Sequence, residues 1–194
     1  MFSGIIKKTG IVNKIIYNKK EIQIGIKSSL KLSNKDLGSS INCSGVCLTL
    51  ENIYRGLYFF YLSRETLKIS IFKNIKLNHI INLEKSLKLG NEISGHFVQG
   101  HVDTTSKLKK KYIYGKSWYL YFSISKNFKK FLNYKSPVSI NGVSLTIAKM
   151  FVNSFLIVVI PHTLKLTNLM NIKKNDIVNI EIDIIAKYIK NLKK

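Results

Sequence analysis

The stretch that decides the fold is Gly45-Val46-Cys47-Leu48-Thr49-Leu50, because it recurs 97 residues later as Gly142-Val143-Ser144-Leu145-Thr146-Ile147. A second segment repeats at the same spacing, since Thr66-Leu67-Lys68 returns without a gap as Thr163-Leu164-Lys165. Two segments that recur at one fixed spacing are the sequence signature of an internal repeat. The chain of 194 residues is therefore predicted to be a tandem duplication of two units of about 95 residues each.

A third, weaker match extends the repeat toward the start of each unit. Gly4-Ile5-Ile6 corresponds to Gly100-His101-Val102, and the three matches follow the same order in both halves. The length alone allows one large domain or two small ones. The repeat favours two, and we expect an N-terminal unit over residues 1–96, a C-terminal unit over 97–183 and a separate oligomerisation helix over 184–194.

Both copies of the repeated stretch have the alternating pattern of a half-buried β-strand, with Val46, Leu48 and Leu50 on one face in the first copy. The glycine before each alternation predicts a tight turn or a bulge. Aromatic and β-branched runs predict further buried strands at 57–62, 118–124 and 155–160. Short strands at this spacing indicate an all-β fold with a sandwich or a small barrel in each unit.

Helical patterns are few. Residues 82–87 and 126–132 are predicted to form short connecting helices. In the tail, apolar residues recur at helical spacing, at Ile184, Ile185, Tyr188, Ile189 and Leu192. Lysines lie between and after them, and Lys193 and Lys194 at the end suit the helix dipole. A helix this short is marginal alone, so we expect its apolar stripe to dock onto its own barrel or onto a neighbouring subunit.

The formal net charge of +22 is the most prominent feature of the composition. Arg55 and Arg64 are the only arginines among the 32 basic residues, and the other 30 are lysines. Nucleic-acid recognition generally favours arginine, whose planar fork suits phosphate and guanine. Isoleucine and asparagine are also abundant, while alanine occurs only at Ala148 and Ala186. This combination favours a nucleotide bias in the gene over a surface selected for polyanions, although weak non-specific binding to polyanions is expected.

Several protein classes are disfavoured. No run of 18 apolar residues predicts a membrane span, and the first eight residues lack the features of a secretory signal. The two cysteines, Cys43 and Cys47, lie too far apart for a disulfide if they share a strand, which fits a reducing, cytoplasmic location. The four histidines show no zinc-finger spacing, so no metal is expected.

The repeated strands carry small polar side chains at equivalent positions. Cys47 and Thr49 in the first unit correspond to Ser144 and Thr146 in the second. Such groups on a rigid strand can bind a flat polar heterocycle, although they are also typical of a solvent-facing strand surface. The second unit alone carries the ionisable pair of His101 and Asp103, which is either functional or a satisfied structural feature.

Eight motifs in one order resemble the riboflavin synthase family, of the alpha-subunit type with tandem lumazine-binding repeats. They cover nearly the whole chain and are found at Met1–Ile6, Ser44–Thr49, Glu65–Leu67, Ile81–Glu84, Gly95–Asp103, Asn141–Thr146, Ile160–Leu164 and Val178–Asp183. Any one of these motifs is weak, but their order is highly specific.

The resemblance implies a reaction between two molecules of 6,7-dimethyl-8-ribityllumazine. One molecule transfers a four-carbon unit to the other, which gives riboflavin and 5-amino-6-(D-ribitylamino)uracil in the last step of riboflavin biosynthesis. No cofactor or metal is implied. The implied fold has two six-stranded Greek-key barrels and a C-terminal helix. The implied assembly is a homotrimer, with each active site between the N-terminal barrel of one subunit and the C-terminal barrel of its neighbour.

The resemblance also implies two sets of substrate-binding residues. The N-barrel set is Gly4, Ile5, Ile6, Cys47, Leu48, Thr49, Tyr61, Leu62, Ser63, Arg64, Glu65, Thr66, Gly100, His101 and Val102. The C-barrel set is Lys135, Ser144, Leu145, Thr146, Ile160, Pro161, His162, Thr163, Leu164 and Lys165.

Roles in the reaction can be assigned to a few of these residues. His101 is expected to transfer protons, while Cys47 and Thr49 polarise or position the reacting groups. The expected anchors are Ser144, Thr146 and Lys135. Phe2 is expected to help close the site, and Asp183 to act near the ribityl chain or the interface.

The chain departs from the family pattern at three positions. Ser44 stands where asparagine is common, Asn141 where aspartate is common, and His162 where glutamate is frequent. Asn141 cannot act as a carboxylate base, which argues against any mechanism that needs one there. His162 is compatible with binding through its backbone.

Two alternative functions are compatible with parts of the sequence. The first is a non-catalytic lumazine- or flavin-binding protein of the same fold, which the motifs retained in both repeats disfavour. The second is a nucleic-acid-binding barrel, for which the segment Lys109-Lys110-Lys111-Tyr112 is the candidate surface. That segment is predicted to be a solvated loop, so no specific nucleic-acid or membrane partner is expected.

Overall fold

The computed structural model describes residues 1–192, and the two halves of the chain build two barrels of the same design. Each barrel closes six antiparallel strands. The first contains β1 (Lys8–Asn18), β2 (Glu21–Ser28), β3 (Ser40–Cys43), β4 (Val46–Tyr54), β5 (Leu57–Leu62) and β6 (Ile80–Lys85). The second contains β7 (Thr104–Tyr114), β8 (Ser117–Ser123), β9 (Pro137–Ile140), β10 (Val143–Met150), β11 (Ser154–Val159) and β12 (Ile177–Ile182).

The strand order around the first barrel is β1-β2-β5-β4-β3-β6, and the second barrel repeats it with the equivalent strands. Even the irregularities repeat, because β4 shifts register between Leu50 and Asn52 and β10 shifts between Ile147 and Lys149. Bulges increase the local twist and bend a strand, which helps a sheet to close. The predicted all-β fold of two six-stranded Greek-key barrels from a tandem duplication is confirmed.

Helical segments are short and connect the strands. They are α1 (Arg64–Ile69), α2 (Lys126–Lys129), α3 (Pro161–Leu166) and α4 (Ile184–Leu192), with single 3₁₀ turns at Asn34–Asp36, Ile71–Asn74 and Asn168–Asn171. The helix predicted over 126–132 is present only in its first four residues. No helix within residues 1–192 is long and apolar enough to cross a membrane.

The helix predicted over 82–87 is wrong, because this segment lies largely within strand β6. Ile81 and Leu83 point into the first barrel, as the alternation of a strand requires. Asn82 and Glu84 point the other way and are buried as well. Asn82 contacts Asn141 and Asn168 of the second barrel, while Glu84 accepts hydrogen bonds from Ser3 and Gly4.

The repeated stretch begins at a two-residue hairpin turn in each barrel. Ser44 and Gly45 connect β3 to β4 with φ of 46° and 90°, and Asn141 and Gly142 connect β9 to β10 with φ of 47° and 78°. Positive φ at both central residues is typical of type I′ turns, whose twist matches that of the flanking strands. The two turns also touch, since a Cβ on Gly45 would lie 2.9 Å from the Gly142 nitrogen.

Two equivalent asparagines join the barrels by exchanging hydrogen bonds. Asn82 Nδ2 donates to the Asn141 carbonyl at 2.9 Å, and Asn179 Nδ2 donates to the Ser44 carbonyl at 2.8 Å. The oxygen of Asn82 also accepts the Asn168 N–H at 2.7 Å. Because both asparagines are buried, each of these bonds satisfies a group that water cannot reach.

The chain crosses from one barrel to the other before the first strand of each unit. Ile6 precedes β1, yet it packs in the hydrophobic core of the second barrel. Val102 precedes β7, yet it packs in the core of the first barrel. Each of these residues therefore packs in the barrel that the other half of the sequence builds.

The C-terminal helix α4 is tied to the second barrel by one side only. Ala186 packs against the core of that barrel, and the Lys187 ammonium lies 3.0 Å from the Asp103 carboxylate. Four apolar side chains of the predicted stripe are exposed in the single chain: Ile185, Tyr188, Ile189 and Leu192. The predicted positions Lys193 and Lys194 lie outside the described residues.

The lysine-rich segment 109–112 is part of β7, so the predicted loop is wrong, although Lys109, Lys110 and Tyr112 are exposed to solvent. Tyr112 stacks on Tyr119 of β8 with ring centroids 4.8 Å apart. The Lys110 ammonium lies 5.5 Å from the centroid of the Tyr112 ring. Cation–π contacts therefore hold part of the positive charge against the barrel wall.

The asparagine exchange leads to a first prediction. Asn82→Ala should lower the free energy of unfolding by about 2 kcal/mol, because it leaves the Asn141 carbonyl and the Asn168 N–H buried without partners. The measurement is urea denaturation followed by circular dichroism. Asn127→Ala, at an exposed position of α2, is the control and should change stability by less than about 0.5 kcal/mol. Equal effects of the two variants would contradict the prediction.

Candidate functional site

A cavity of about 240 Å³ opens beside Cys47 at the start of β4. The residues that line it are Val46, Cys47, Thr66, Ile69, Ser70, Gly100, His101 and Val102. Five of them belong to the predicted N-barrel set, although they come from three separate parts of the sequence. The cavity is small and combines apolar walls with a thiol, hydroxyls and an imidazole, which suits one edge of a heterocycle.

The segment that precedes β7 forms one wall of this cavity. The Cys47 N–H donates to the Gly100 carbonyl at 2.8 Å, which pins the segment to the edge of β4. Gly100 has a φ of +79°, and a Cβ there would lie only 2.6 Å from the Cys47 Cβ. Glycine is therefore required here both for its backbone conformation and for the close approach. His101 follows directly, with an exposed side chain at the cavity.

The second barrel has an equivalent arrangement around Ser144. The Ser144 N–H donates to the Gly4 carbonyl at 2.8 Å, and Gly4 has a φ of +75°. A Cβ on Gly4 would also lie 2.6 Å from the neighbouring Cβ, here that of Ser144. Gly4, Ile5 and Ile6 therefore lie at the second barrel. Their predicted grouping with Cys47 is corrected, because the chain crosses between the barrels before β1.

The predicted stretches 61–66 and 160–165 occupy equivalent places at the end of a strand and the start of a helix. Ser63 caps α1 by accepting the Thr66 N–H at 3.2 Å, and Pro161 begins α3. Thr66 reaches the cavity beside Cys47, whereas Leu62 and Leu164 point into their barrel cores. The exposed members of these stretches are Tyr61, Arg64, Glu65, Ile160, Pro161, His162 and Lys165.

Not every predicted residue lies at the cavity. Leu48 points into the first barrel and is buried, whereas Thr49 lies on the outward face of β4 and is exposed. Leu145 packs partly against the core of the second barrel, while Thr146 is exposed. In the single chain, Leu48 and Thr49 do not line the cavity beside Cys47.

Phe2, Asp103 and Asp183 have clear structural partners. Phe2 is fully buried and pairs with Val98 through two backbone hydrogen bonds of 2.7 and 3.1 Å. Asp103 pairs with Lys187 of α4 and accepts the Ile182 N–H at 2.8 Å. The Asp183 carboxylate accepts the Ile185 N–H at 3.1 Å at the start of α4.

Lys135 has an unusual backbone for a lysine. Its φ is +64°, in the left-handed region, and its ammonium lies 5.4 Å from the Tyr134 ring centroid. The equivalent residue of the first unit is Gly38, with a φ of +80°. A lysine costs more than glycine in this conformation.

His96 is a site residue that the sequence did not reveal. Its Nδ1 lies 2.7 Å from the Ser144 Oγ, and its buried Nε2 has no hydrogen-bond partner within residues 1–192. Burial lowers the pKa of His96, which favours the neutral imidazole, although Asp183 acts in the opposite direction. His96 belongs to the Gly95–Asp103 motif but lies outside the segments that repeat, so the repeat could not single it out.

Two of the three departures from the family pattern lie at the interface between the barrels. The Ser44 hydroxyl accepts the Asn82 N–H at 3.0 Å, and Asn141 Oδ1 accepts the Asn179 N–H at 2.8 Å. Both side chains thus act as acceptors in equivalent turns. His162 is exposed in the first turn of α3.

A larger cavity of about 770 Å³ lies between the barrels, with Lys73, His79, Asn168 and Asp176 among its lining residues. None of the predicted site residues lines it. Cys47 and His101 lie at the smaller cavity instead, so size alone does not identify the functional site.

Comparison with known proteins agrees with this arrangement. The family described as the lumazine binding domain matches residues 3–86 and 99–183. A riboflavin synthase of Buchnera aphidicola subsp. Baizongia pistaciae is 39% identical over 185 residues, which cover 94% of this chain and 87% of that protein. The chain belongs to the riboflavin synthase family. A second riboflavin synthase, from Photobacterium leiognathi, is 35% identical and covers 99% of this chain and 88% of its own length.

Solved structures show the same fold outside the named synthases. The crystal structure of LumP complexed with riboflavin has a TM-score of 0.85 at 21% identity, and the match covers 94% of this chain and 99% of that one. LumP complexed with 6,7-dimethyl-8-(1'-D-ribityl) lumazine gives a TM-score of 0.82 at 22% identity, covering 93% and 98%. At this identity the likeness concerns the fold alone.

The close approach at Gly100 leads to a second prediction. Gly100→Ala should lower the free energy of unfolding by about 2 kcal/mol or more, because it adds a steric conflict with Cys47 to backbone strain. The control is Gly56→Ala, since Gly56 has a φ of +74° but open space around its Cβ position. That variant should lose only about 1 kcal/mol. Thermal and urea unfolding measure both, and a loss no larger for Gly100→Ala would contradict the described approach.

Proposed function

We propose that this chain converts two molecules of 6,7-dimethyl-8-ribityllumazine into riboflavin and 5-amino-6-(D-ribitylamino)uracil. One observation carries the proposal: the two barrels of a riboflavin synthase family member hold equivalent sites, built around Cys47 and Ser144. A reaction between two copies of one molecule needs two similar sites. The atoms of the two substrates equal those of the two products, so the four-carbon transfer needs no oxidant, reductant or water.

The main requirement of the reaction is that the protein binds two substrates in the correct orientation. The methyl group at C7 of the lumazine is acidic, because its carbanion is delocalised into the heterocycle, so a mild base suffices. Orienting two reactants contributes up to about 7–11 kcal/mol in well-arranged systems. We assign proton transfer to His101, whose imidazole lies at the cavity beside the thiol of Cys47. Ser144 and Lys135 are the proposed anchors of the second substrate.

We also propose that the chain assembles as a homotrimer, in which the first barrel of one subunit faces the second barrel of its neighbour. The exposed stripe of α4 supports a second copy of the chain as its partner, because these side chains are exposed while Ala186 on the same helix packs against the second barrel. Large exposed apolar side chains in a row are typical of protein interfaces. The two free cysteines support a reducing cytoplasm as the location.

The non-catalytic alternative is not favoured. The relatives named riboflavin synthase are 31–39% identical to this chain, whereas the LumP structures are 21–22% identical. Both barrels also retain the glycine that packs against the residue at the start of the repeated strand. Retention of both sites supports a reaction between two ligands.

The decisive experiment supplies the purified protein with 6,7-dimethyl-8-ribityllumazine alone and follows riboflavin formation by absorbance. His101→Ala and Cys47→Ala should each lower kcat at least about tenfold, because they remove groups assigned to the reaction. Unfolding by urea should change by less than about 1 kcal/mol, since both positions are at the cavity surface rather than in the core.

Cys43→Ala is the matched control for Cys47→Ala. Burial raises the pKa of the Cys43 thiol, and Cys43 packs in the core of the first barrel, so it should affect stability but not kcat. Absence of riboflavin from the wild-type protein would refute the proposed function. Losses of activity that merely follow losses of stability would assign His101 and Cys47 to a structural role.

A further experiment tests the assembly. Replacing Ile185 and Ile189 with aspartate should dissociate the trimer, because two charges would be buried in the proposed interface. Lys190→Glu on the same helix is the control and should leave the assembly intact, since Lys190 is exposed and polar. Sedimentation velocity distinguishes the two states. A trimer that persists in the double variant, or after removal of residues 184–194, would contradict the assignment of α4.

A further inference from the structure

Two buried carboxylates occupy equivalent positions in the two barrels, and the mechanism above uses neither of them. Glu84 lies in β6 and Glu181 in β12, with relative exposures of 4% and 2%. Neither forms an ion pair within residues 1–192 of the described chain, where the salt bridges involve other residues. A buried carboxylate without a cation is costly and needs several hydrogen-bond donors to persist.

Backbone N–H groups of the crossing segments supply those donors. Glu181 accepts the Gln99 N–H at 2.6 Å on one oxygen, and the N–H groups of Gly100 and His101 at 2.9 and 3.1 Å on the other. Glu84 accepts the Ser3 N–H at 2.8 Å and the Gly4 N–H at 3.1 Å. Ser3 adds its hydroxyl at 2.8 Å.

The direction of these contacts links each glutamate to the site of the opposite barrel. Glu181 belongs to the second barrel but holds the segment whose Gly100 carbonyl accepts the Cys47 N–H of the first barrel. Glu84 belongs to the first barrel but holds Gly4, whose carbonyl accepts the Ser144 N–H of the second. Both links are therefore short chains of two hydrogen bonds that run from one barrel to the site of the other.

A carboxylate suits this task better than an amide. It accepts on both oxygens and carries no donor, whereas one end of a glutamine would direct an NH₂ group at the backbone N–H groups. Hydrogen bonds to a charged acceptor are also stronger than neutral ones. Ionisation is opposed by desolvation, because burial raises the pKa of Glu181 to about 7 and raises that of Glu84.

We infer that Glu181 and Glu84 are positioning residues, each fixing the segment that completes the site of the other barrel. The inference rests on the proposed function for its effect on turnover. The two segments differ in content, because the one held by Glu181 carries His101 while the one held by Glu84 carries Ile5 at the equivalent position. Loss of Glu181 should thus disturb proton transfer, and loss of Glu84 should disturb substrate binding.

The test compares Glu181→Gln with Glu84→Gln, so that each variant is the control of the other. Residue-resolved amide hydrogen exchange should accelerate at least about tenfold at 99–101 in Glu181→Gln and at 3–4 in Glu84→Gln, with the other segment unchanged. Kinetically, Glu181→Gln should lower kcat about tenfold or more. Glu84→Gln should raise KM while changing kcat less than about threefold.

The outcomes separate this inference from the proposed function. A wild-type protein that forms no riboflavin would refute the proposed function. Hydrogen exchange needs no substrate, so it would still show whether each glutamate holds its segment in place. Exchange that accelerates equally in both segments in both variants, or that stays unchanged at 99–101 in Glu181→Gln, would overturn the inference. Equal losses of kcat that parallel losses of stability would also overturn it. If a glutamine variant fails to fold, Glu181→Asp and Glu84→Asp give the same reading, since they keep the charge but shorten its reach.

Discussion

The exchange of hydrogen bonds between Asn82 and Asn179 and the two hairpin turns is the interaction on which the rest of the structure depends. Each asparagine lies on the last strand of one barrel and donates to the turn of the other, at 2.9 and 2.8 Å. The bonds are buried and directional, so they set the relative position of the barrels more strictly than apolar packing would. With the turns fixed, β4 and β10 start next to each other, because Gly45 and Gly142 are in contact.

This relation between the barrels makes the crossing of the chain possible. Gly4 and Gly100 each contact the start of a strand in the opposite barrel, and both have positive φ with no room for a side chain. Glu84 and Glu181 each hydrogen-bond to the crossing segment of their own unit and hold it in place. One result is that neither site belongs to a single barrel. Each depends on the interface that the asparagines set.

The sequence predicted the duplication, the strands and the turns because these depend on local patterns that the repeat preserves. Gly45 and Gly142 identified the turns, and the alternation after them identified β4 and β10. The sequence could not predict the crossing, because the match between Gly4–Ile6 and Gly100–Val102 is short and says nothing about which barrel each contacts. It also misassigned β6, where the polar residues Asn82 and Glu84 are buried by segments distant in sequence, which a local pattern cannot represent. His96 was missed since it lies outside the repeat, although it contacts Ser144.

The charge of +22 illustrates how composition and function can be separate. The groups at the cavity beside Cys47 are mostly small and neutral, while the lysines of β7 lie on the outer wall among tyrosines. The buried carboxylates of Glu84 and Glu181 accept backbone N–H groups, and within residues 1–192 neither forms an ion pair with a lysine. We therefore expect that replacing a lysine on the outer wall with another polar residue leaves the hydrogen bonds of Glu84 and Glu181 intact.

The departures from symmetry are as informative as the repeat. The two proposed sites must resemble each other because they bind the same molecule, yet they must differ because one substrate gives a four-carbon unit and the other receives it. Three equivalent positions differ in this way: Cys47 against Ser144, His101 against Ile5, and Lys135 against Gly38. Lys135 keeps its left-handed backbone conformation, although glycine adopts it with less strain. The positions that set the geometry, namely Gly4 and Gly100, Asn82 and Asn179, and Glu84 and Glu181, stayed identical in both units. Duplication thus accounts for the frame that the two barrels share, and the positions that differ are those at which the two proposed sites can act differently.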